Sequence, residues 1–101
     1  MSSFPLNRDE RDLLCQAADM AGDRMAKLEN DAGVASMETV VQTATQIPTQ
    51  PIELNQLQRE VLGKMLMNVA FDLLREDQDA RAALAEALAE RLFDGQEGEH
   101  R

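Results

Sequence analysis

The spacing of apolar and polar residues along the chain predicts four helices, the first of which covers residues 7–30. Asn7 and Glu10 have the spacing of a capping box, in which two side chains satisfy free amides at the start of a helix. Apolar residues then recur every three or four positions on one face, and they are Leu13, Leu14, Ala17, Ala18, Ala21, Met25 and Leu28. Beside that face, the small residues Ala18, Gly22 and Ala26 predict a close approach by another helix.

The second predicted helix is short and covers residues 36–47. Its apolar residues repeat at helical spacing, and they are Met37, Val40, Val41, Ala44 and Ile47. We expect Gly33 to stop the first helix in a left-handed conformation and Pro48 to end the second. Pro48 and Pro51 together predict a stiff turn at which the chain reverses direction.

The third predicted helix, residues 52–75, is apolar on nearly every side. Asn55 and Gln58 have the spacing of its capping box, and a start near Pro51 is the alternative. The polar residues of its second half form one narrow stripe, which consists of Lys64, Asn68 and Asp72. A helix with so little polar surface has to be covered from more than one side.

A fourth helix is predicted for residues 79–93. Its apolar ridge consists of Leu84, Leu88 and Leu92. Residues 94–101 contain no apolar side chain and are predicted to be a disordered tail. Together the helices predict an all-α fold, a small four-helix bundle-like domain over residues 1–93 with the third helix at its centre. No repeat with the period of a solenoid protein is found in the sequence.

The excess apolar surface of the third helix predicts association with another protein. Met67, Phe71 and Leu74 lie on one side of that helix, and exposing them would create a patch that monomers rarely tolerate. We expect this side to form a two-fold homodimer contact or the docking site of a different protein. The alternative is a compact monomer, in which the first and fourth helices flank the third and bury Phe71.

The composition limits the classes of partner. The net charge of −9 disfavours direct binding to nucleic acid and to anionic membranes, and it favours a basic protein partner. Cys15 is the only cysteine, so no internal disulfide forms and an oxidising compartment is not indicated. The sequence offers neither a membrane span nor a basic, apolar leader, and we therefore expect a cytoplasmic protein.

The residues that usually carry catalysis are scarce. His100, in the polar tail, is the only histidine, which leaves no histidine-based catalytic or metal site in the predicted helices. Cys15 lies near the acidic side of the first helix, where a reactive thiolate is disfavoured. We therefore predict a protein without enzymatic activity, metal or cofactor, which acts by protein–protein contact as an adaptor, a chaperone-like subunit or a regulatory inhibitor.

A second interpretation concerns the acidic side of the first helix. Its carboxylates are those of Asp9, Asp12, Asp19 and Asp23. If they are spaced like phosphates, the chain is an acidic decoy that occupies a nucleic-acid-binding site, as some phage-encoded inhibitors do. A solvated helix face explains the same residues without a partner.

The segment "NDAGVASMETV", residues 30–40, resembles the acyl carrier protein signature around the serine that carries phosphopantetheine. Asp31, Gly33, Ser36, Met37 and Glu38 fall at corresponding places, whereas alanine replaces the aspartate that precedes the serine. The resemblance covers eleven residues and implies an attachment site at Ser36.

The same letters also describe the start of a helix. With Gly33 as the stop of the first helix, Ser36 becomes the N-cap of the second and accepts a hydrogen bond from the amide of Glu38 or Thr39. We predict that Ser36 is a helix cap.

Overall fold

The computed structural model describes residues 2–46 and 51–94, which form four helices and two short strands. Their order is β1 (Ser2–Phe4), α1 (Arg8–Lys27), α2 (Asp31–Gln46), β2 (Ile52–Leu54), α3 (Gln56–Arg75) and α4 (Asp79–Asp94). Helix α1 packs against α2 and α3, and α3 packs against α4, so α1 and α3 form the central pair. The predicted all-α, four-helix bundle-like fold is confirmed.

Both long helices begin at the predicted capping boxes. The Asn7 side chain accepts a hydrogen bond from the Glu10 amide at 2.8 Å, and the Asn7 amide donates to Glu10 Oε1 at 2.9 Å. Asn55 and Gln58 repeat this arrangement with the same two distances. The alternative start of α3 near Pro51 is therefore wrong.

Two predicted boundaries also prove wrong. Helix α2 begins at Asp31 rather than at residue 36, because Asn30 caps it by accepting a hydrogen bond from the Gly33 amide at 3.1 Å. Gly33 thus lies in the first turn of α2. Residues 52–54, expected at the start of the third helix, form strand β2 instead. Helix α4 ends at Asp94, and the remainder of the predicted tail lies outside the described residues, as does Ile47.

Helices α1 and α3 end in the same way. Glu29 and Asp77 follow them with φ angles of 57° and 61°. One residue later, the Asn30 amide donates to the Met25 carbonyl and the Gln78 amide to the Leu73 carbonyl, both at 2.8 Å. This is a Schellman motif, whose left-handed residue is usually glycine. Because α1 already ends at Lys27, Leu28 is 79% exposed rather than part of the apolar face.

The matching helix starts and ends reveal two copies of one β-α-α unit. The segment "LNRDERDLL", residues 6–14, corresponds to "LNQLQREVL", residues 54–62, at an offset of 48 positions. In the antiparallel β1–β2 pair, Phe4 lies opposite Ile52, its own equivalent. The pairing therefore relates the copies by approximate two-fold symmetry. Residues 2–46 are called unit 1 and residues 51–94 unit 2.

An arginine has the same role in each unit, although Arg11 is buried and Arg59 only half-buried. Arg11 Nη1 donates to the carbonyl of Ala44, and Arg59 Nη1 donates to the carbonyl of Leu92, both at 3.3 Å. These acceptors lie in the last turns of α2 and α4, where free carbonyl groups and the helix dipole favour a cation. Each arginine therefore stabilises the end of the second helix of its unit.

The two units differ in which helix carries the large side chains and which carries the small ones. In unit 1 the small residues Ala18 and Gly22 lie on α1, and a β-carbon on Gly22 would lie 3.7 Å from Met37 Cβ of α2. The predicted close approach is thus confirmed there, whereas Ala26 is exposed. In unit 2 the small residues belong to α4 and the large ones to α3. The buried members are Ala82, Ala85 and Ala89 on α4 and Leu66, Val69 and Leu73 on α3.

Candidate functional site

Three of the five large apolar residues that are exposed in the described chain lie on the exposed side of α3. Six residues at alternating three- and four-residue spacing define this side, here called the α3 face: Leu57, Glu60, Lys64, Met67, Phe71 and Leu74. Leu57 is 69%, Phe71 57% and Leu74 44% exposed, and Met67 is half-buried. Helices α1 and α4 both contact α3 but do not cover these side chains. The alternative in which they bury Phe71 is wrong, whereas binding of a partner here stays a prediction.

Phe93 of α4 adds a second aromatic ring to this region. It is 47% exposed, and its ring lies over Gly63, where a β-carbon would come within 2.7 Å of Phe93 Cε1. Gly63 is one turn before Met67, so the ring rests on α3 next to the α3 face. The apolar spacing of α3 does not predict that Phe93 lies here, because its position depends on a glycine of a different helix.

The equivalent side of α1 has the opposite character. The residues 48 positions before the α3 face, here called the α1 face, are Asp9, Asp12, Gln16, Asp19, Asp23 and Ala26. All six are exposed. Among the residues that the structure describes, no ion pair involves any of the four aspartates. Asp9, Asp19 and Asp23 therefore stand free in solvent where unit 2 has Leu57, Met67 and Phe71.

The carboxylates of the α1 face affect the pKa of the neighbouring Cys15 thiol. Burial raises the pKa of the Cys15 thiol, and the carboxylates of Asp19 and Asp12 raise it further, while Arg11 acts in the opposite direction. The expectation that a reactive thiolate is disfavoured at this position is confirmed.

Ser36 lies within α2, five residues after its first residue, and is not the helix cap that we predicted. Its hydroxyl oxygen accepts a hydrogen bond from Gln58 Nε2 at 2.9 Å, while Gln58 Oε1 completes the capping box of α3. In the carrier signature the serine begins its helix, whereas here Ser36 is half-buried and links α2 to α3. Local sequence does not indicate the hydrogen bond of Ser36, because its partner Gln58 is 22 residues away.

A second link joins the units at the equivalent position. Glu10, which corresponds to Gln58, forms an ion pair with Arg91 of α4 at 3.0 Å, and Arg91 Nη2 also donates to the Pro5 carbonyl at 3.0 Å. In both units, therefore, the third residue of the long helix binds the second helix of the other unit. The two units are fixed to one another by polar contacts as well as by the core.

A cavity of about 310 Å³ lies beside the link between Ser36 and Gln58. Its lining is mainly apolar and includes Met25, Met37, Leu57 and Val61. Unit 1 has Gly33 and Ser36 in this wall, whereas unit 2 has the larger Arg81 and Leu84 at the equivalent positions. Leu57 is part of the lining, so the cavity adjoins one end of the α3 face and has space there for an apolar side chain.

Across residues 2–46 and 51–94, no group of three or more His, Cys, Asp or Glu side chains is placed to hold a metal ion. Within the same ranges, no helix is long and apolar enough to cross a membrane. No protein-family model matches the chain, and comparisons with curated proteins and with solved structures find no similar protein.

Proposed function

We propose that this chain is a cytoplasmic, non-enzymatic protein that acts by binding a protein partner on the α3 face. The supporting observation is the contrast between two equivalent helix faces. Unit 1 folds with aspartates at positions 9, 19 and 23, so this backbone does not require apolar side chains there. Leu57 and Phe71 of unit 2 are therefore apolar for a reason outside the fold, whereas the half-buried Met67 also packs against the core. Binding is the usual reason for such an exposed apolar patch.

The shape of the α3 face favours a helical partner. Its residues alternate at three- and four-residue spacing, which is the spacing by which one helix packs along another. Phe71 is its large exposed aromatic residue and serves as the central anchor, because aromatic side chains dominate binding energy at interfaces. Glu60 and Lys64 form a polar segment between Leu57 and the apolar residues 67, 71 and 74. A partner of this kind suits an adaptor, a chaperone-like subunit or a regulatory inhibitor.

Photocrosslinking at equivalent positions tests this proposal. A benzoylphenylalanine placed at position 71 is expected to form a covalent adduct with a protein in the cells that naturally make the chain. The same group at position 23 is the matched control, because Asp23 has the equivalent position on α1 and is also exposed. Adducts that form equally at both positions, or at neither, would overturn the proposal.

The acidic α1 face supports a second candidate function. Its four aspartates are exposed and form no ion pair with cations of the described chain, so they remain available to a basic partner. In this case the chain is an acidic decoy that occupies a nucleic-acid-binding site, and its affinity falls steeply with salt.

Replacing the four aspartates by asparagine distinguishes this candidate from the first. Loss of partner binding by this variant, with binding by Phe71→Asp unchanged, is expected for the decoy. Partner binding that survives the four asparagines rules the decoy out and leaves the α3 face as the binding surface.

A further inference from the structure

We infer that the partner on the α3 face is a second copy of this chain, bound through an antiparallel pair of α3 helices. This inference rests on the proposed function, which assigns the α3 face as the binding surface. It adds the identity of the partner and the register of the contact.

The apolar residues of the α3 face are self-complementary in one antiparallel register. When two α3 faces meet in an antiparallel pair whose two-fold axis passes at the level of Val69, on the side of α3 opposite to this buried residue, Phe71 of each copy packs on Met67 of the other, in the manner of antiparallel coiled coils. Leu74 of each copy then lies along the aliphatic stem of Lys64 of the other. The two Phe71–Met67 contacts form the centre of the interface, and both ammonium groups extend to its edge.

The charges of the helix agree with the same register. Arg75 borders the α3 face, and its side chain is 80% exposed apart from a 3.5 Å contact with Asp72. In the register centred on Val69, Arg75 of each copy reaches Glu60 of the other, and symmetry makes two such pairs. Charges that match across an interface fix its register and exclude others.

The local charge balance distinguishes a second copy from a basic partner. The exposed charged residues on and beside the α3 face are Glu60, Lys64, Asp72 and Arg75. They sum to zero, although the whole chain carries −9. A basic protein therefore gains no electrostatic advantage on this face, whereas two copies meet there without repulsion. The negative charge of unit 1 lies on the α1 face.

Charge reversal in the full-length chain tests both the partner and the register. Sedimentation of the purified wild-type chain is expected to show a dimer at about 100 µM, as for a Kd in the micromolar range. Glu60→Arg and Arg75→Glu should each weaken the dimer by about tenfold, because each sets like charges opposite one another. The double variant should restore the dimer to within about threefold of wild type, because both pairs re-form with reversed sign.

Asp12→Arg is the matched control, since Asp12 has the position of Glu60 on α1, and it should leave the dimer unchanged. Circular dichroism verifies that each variant is folded.

A wild-type chain that stays monomeric at about 100 µM overturns the second copy as partner. In that case a crosslink from position 71 to a different protein still supports the α3 face. A dimer insensitive to both single reversals overturns the register, and one that survives Phe71→Asp overturns the proposed function as well.

Discussion

Unit 1 and unit 2 have the same backbone plan and opposite outer surfaces. Each begins its long helix with an asparagine cap and ends it with an acidic residue in the left-handed conformation. In each, one arginine of the long helix donates a hydrogen bond to the last turn of the second helix. The features that recur are those on which the backbone depends. The outer face of the long helix does not recur, so its chemistry is independent of the fold.

The interior of the units shows the same independence at the level of side-chain volume. Leu66 of α3 and Ala18 of α1 have equivalent positions, and both are buried. Unit 1 compensates by placing Met37 on α2 where unit 2 has Ala85 on α4. Each helix pair therefore needs a certain total volume of buried side chains, and either of its two helices can supply the larger residues.

The largest expected effect comes from substitutions that change the side-chain volume buried between two paired helices. Leu66→Ala should lower the free energy of unfolding by about 3 kcal/mol, because Leu66 is fully buried and no neighbour replaces its side chain. Ala18→Leu should lower it by about 1–3 kcal/mol through overpacking against α2. Urea unfolding followed by circular dichroism measures both changes. A stabilising Ala18→Leu would show that unit 1 has room for the packing of unit 2.

Exchanging the outer surfaces tests whether they are independent of the fold. Phe71→Asp should weaken association by about tenfold to a hundredfold, because it removes the aromatic anchor. Its free energy of unfolding should stay within about 0.5 kcal/mol of wild type, as for other exposed positions. Asp23→Phe, the reverse change in unit 1, should increase association. If Phe71→Asp fails to fold, the apolar residue serves the fold after all.

The hydrogen bond between Ser36 and Gln58, which links the two units, should contribute less to stability than the buried side chains of either unit. Ser36→Ala should lower the free energy of unfolding by about 1 kcal/mol, because it removes the hydrogen bond from Gln58. Ser36→Asp should be more destabilising, because it places a carboxylate in a half-buried position. Thr39→Ala, at an exposed position three residues further along α2, is the control in the same urea titration. A tolerated Ser36→Asp would instead favour the role of helix cap.

A smaller, stabilising effect is expected when unit 1 is made more like unit 2. Gly22→Ala should raise the free energy of unfolding by about 0.5–1 kcal/mol, because alanine favours the helix and its β-carbon meets only ordinary contacts. Unit 2 already has Ala70 at the equivalent position. Gly33→Ala is the contrasting variant, since its β-carbon would lie 2.5 Å from Met25 Sδ, so the Met25 and Asn30 side chains have to move and the gain should be smaller than for Gly22→Ala. A greater stabilisation by Gly33→Ala than by Gly22→Ala, measured as the shift of the thermal midpoint, would contradict the structure.

The smallest effect concerns the thiol beside the α1 face. Because the pKa of Cys15 is raised, less thiolate is present at a given pH, and alkylation should be slower than for an exposed cysteine peptide at pH 8. Asp19→Asn removes part of the negative field, so it should lower the pKa and accelerate the reaction. Mass spectrometry of iodoacetamide adducts gives both rates. Equal rates for the two proteins would mean that burial alone controls the thiol.

Local signals made much of this fold predictable from sequence. The capping boxes at Asn7 and Asn55 need only residues three positions apart, and the buried side of α1 follows from apolar spacing. The start of α2 was predicted wrongly, because Ser36 has the properties of a cap and Asn30, the actual cap, was assigned to the first helix. Ser36 instead packs against Gln58, a contact that local sequence does not indicate. Strand β2 was missed, because three residues form a strand only when β1 supplies its partner.

The candidate site was predictable in part. The apolar excess of the third helix identified Phe71 and Leu74, since too few neighbours were available to cover them. Phe93 could not be found this way, because its exposed ring rests on Gly63 of another helix. The pattern shared by residues 6–14 and 54–62 was present in the sequence, but two copies are too few for a search for solenoid periods.

The pairing of Phe4 with Ile52 also has a consequence for the order in which the molecule forms. Most helix contacts join neighbours in sequence and can form as soon as each helix pair is synthesised. Strand β1, in contrast, leaves the ribosome long before β2 and stays unpaired while α1 and α2 assemble. We therefore expect this small ribbon to close after each helix pair has formed, and it is, with the packing of α1 on α3, among the non-local contacts that join the two units.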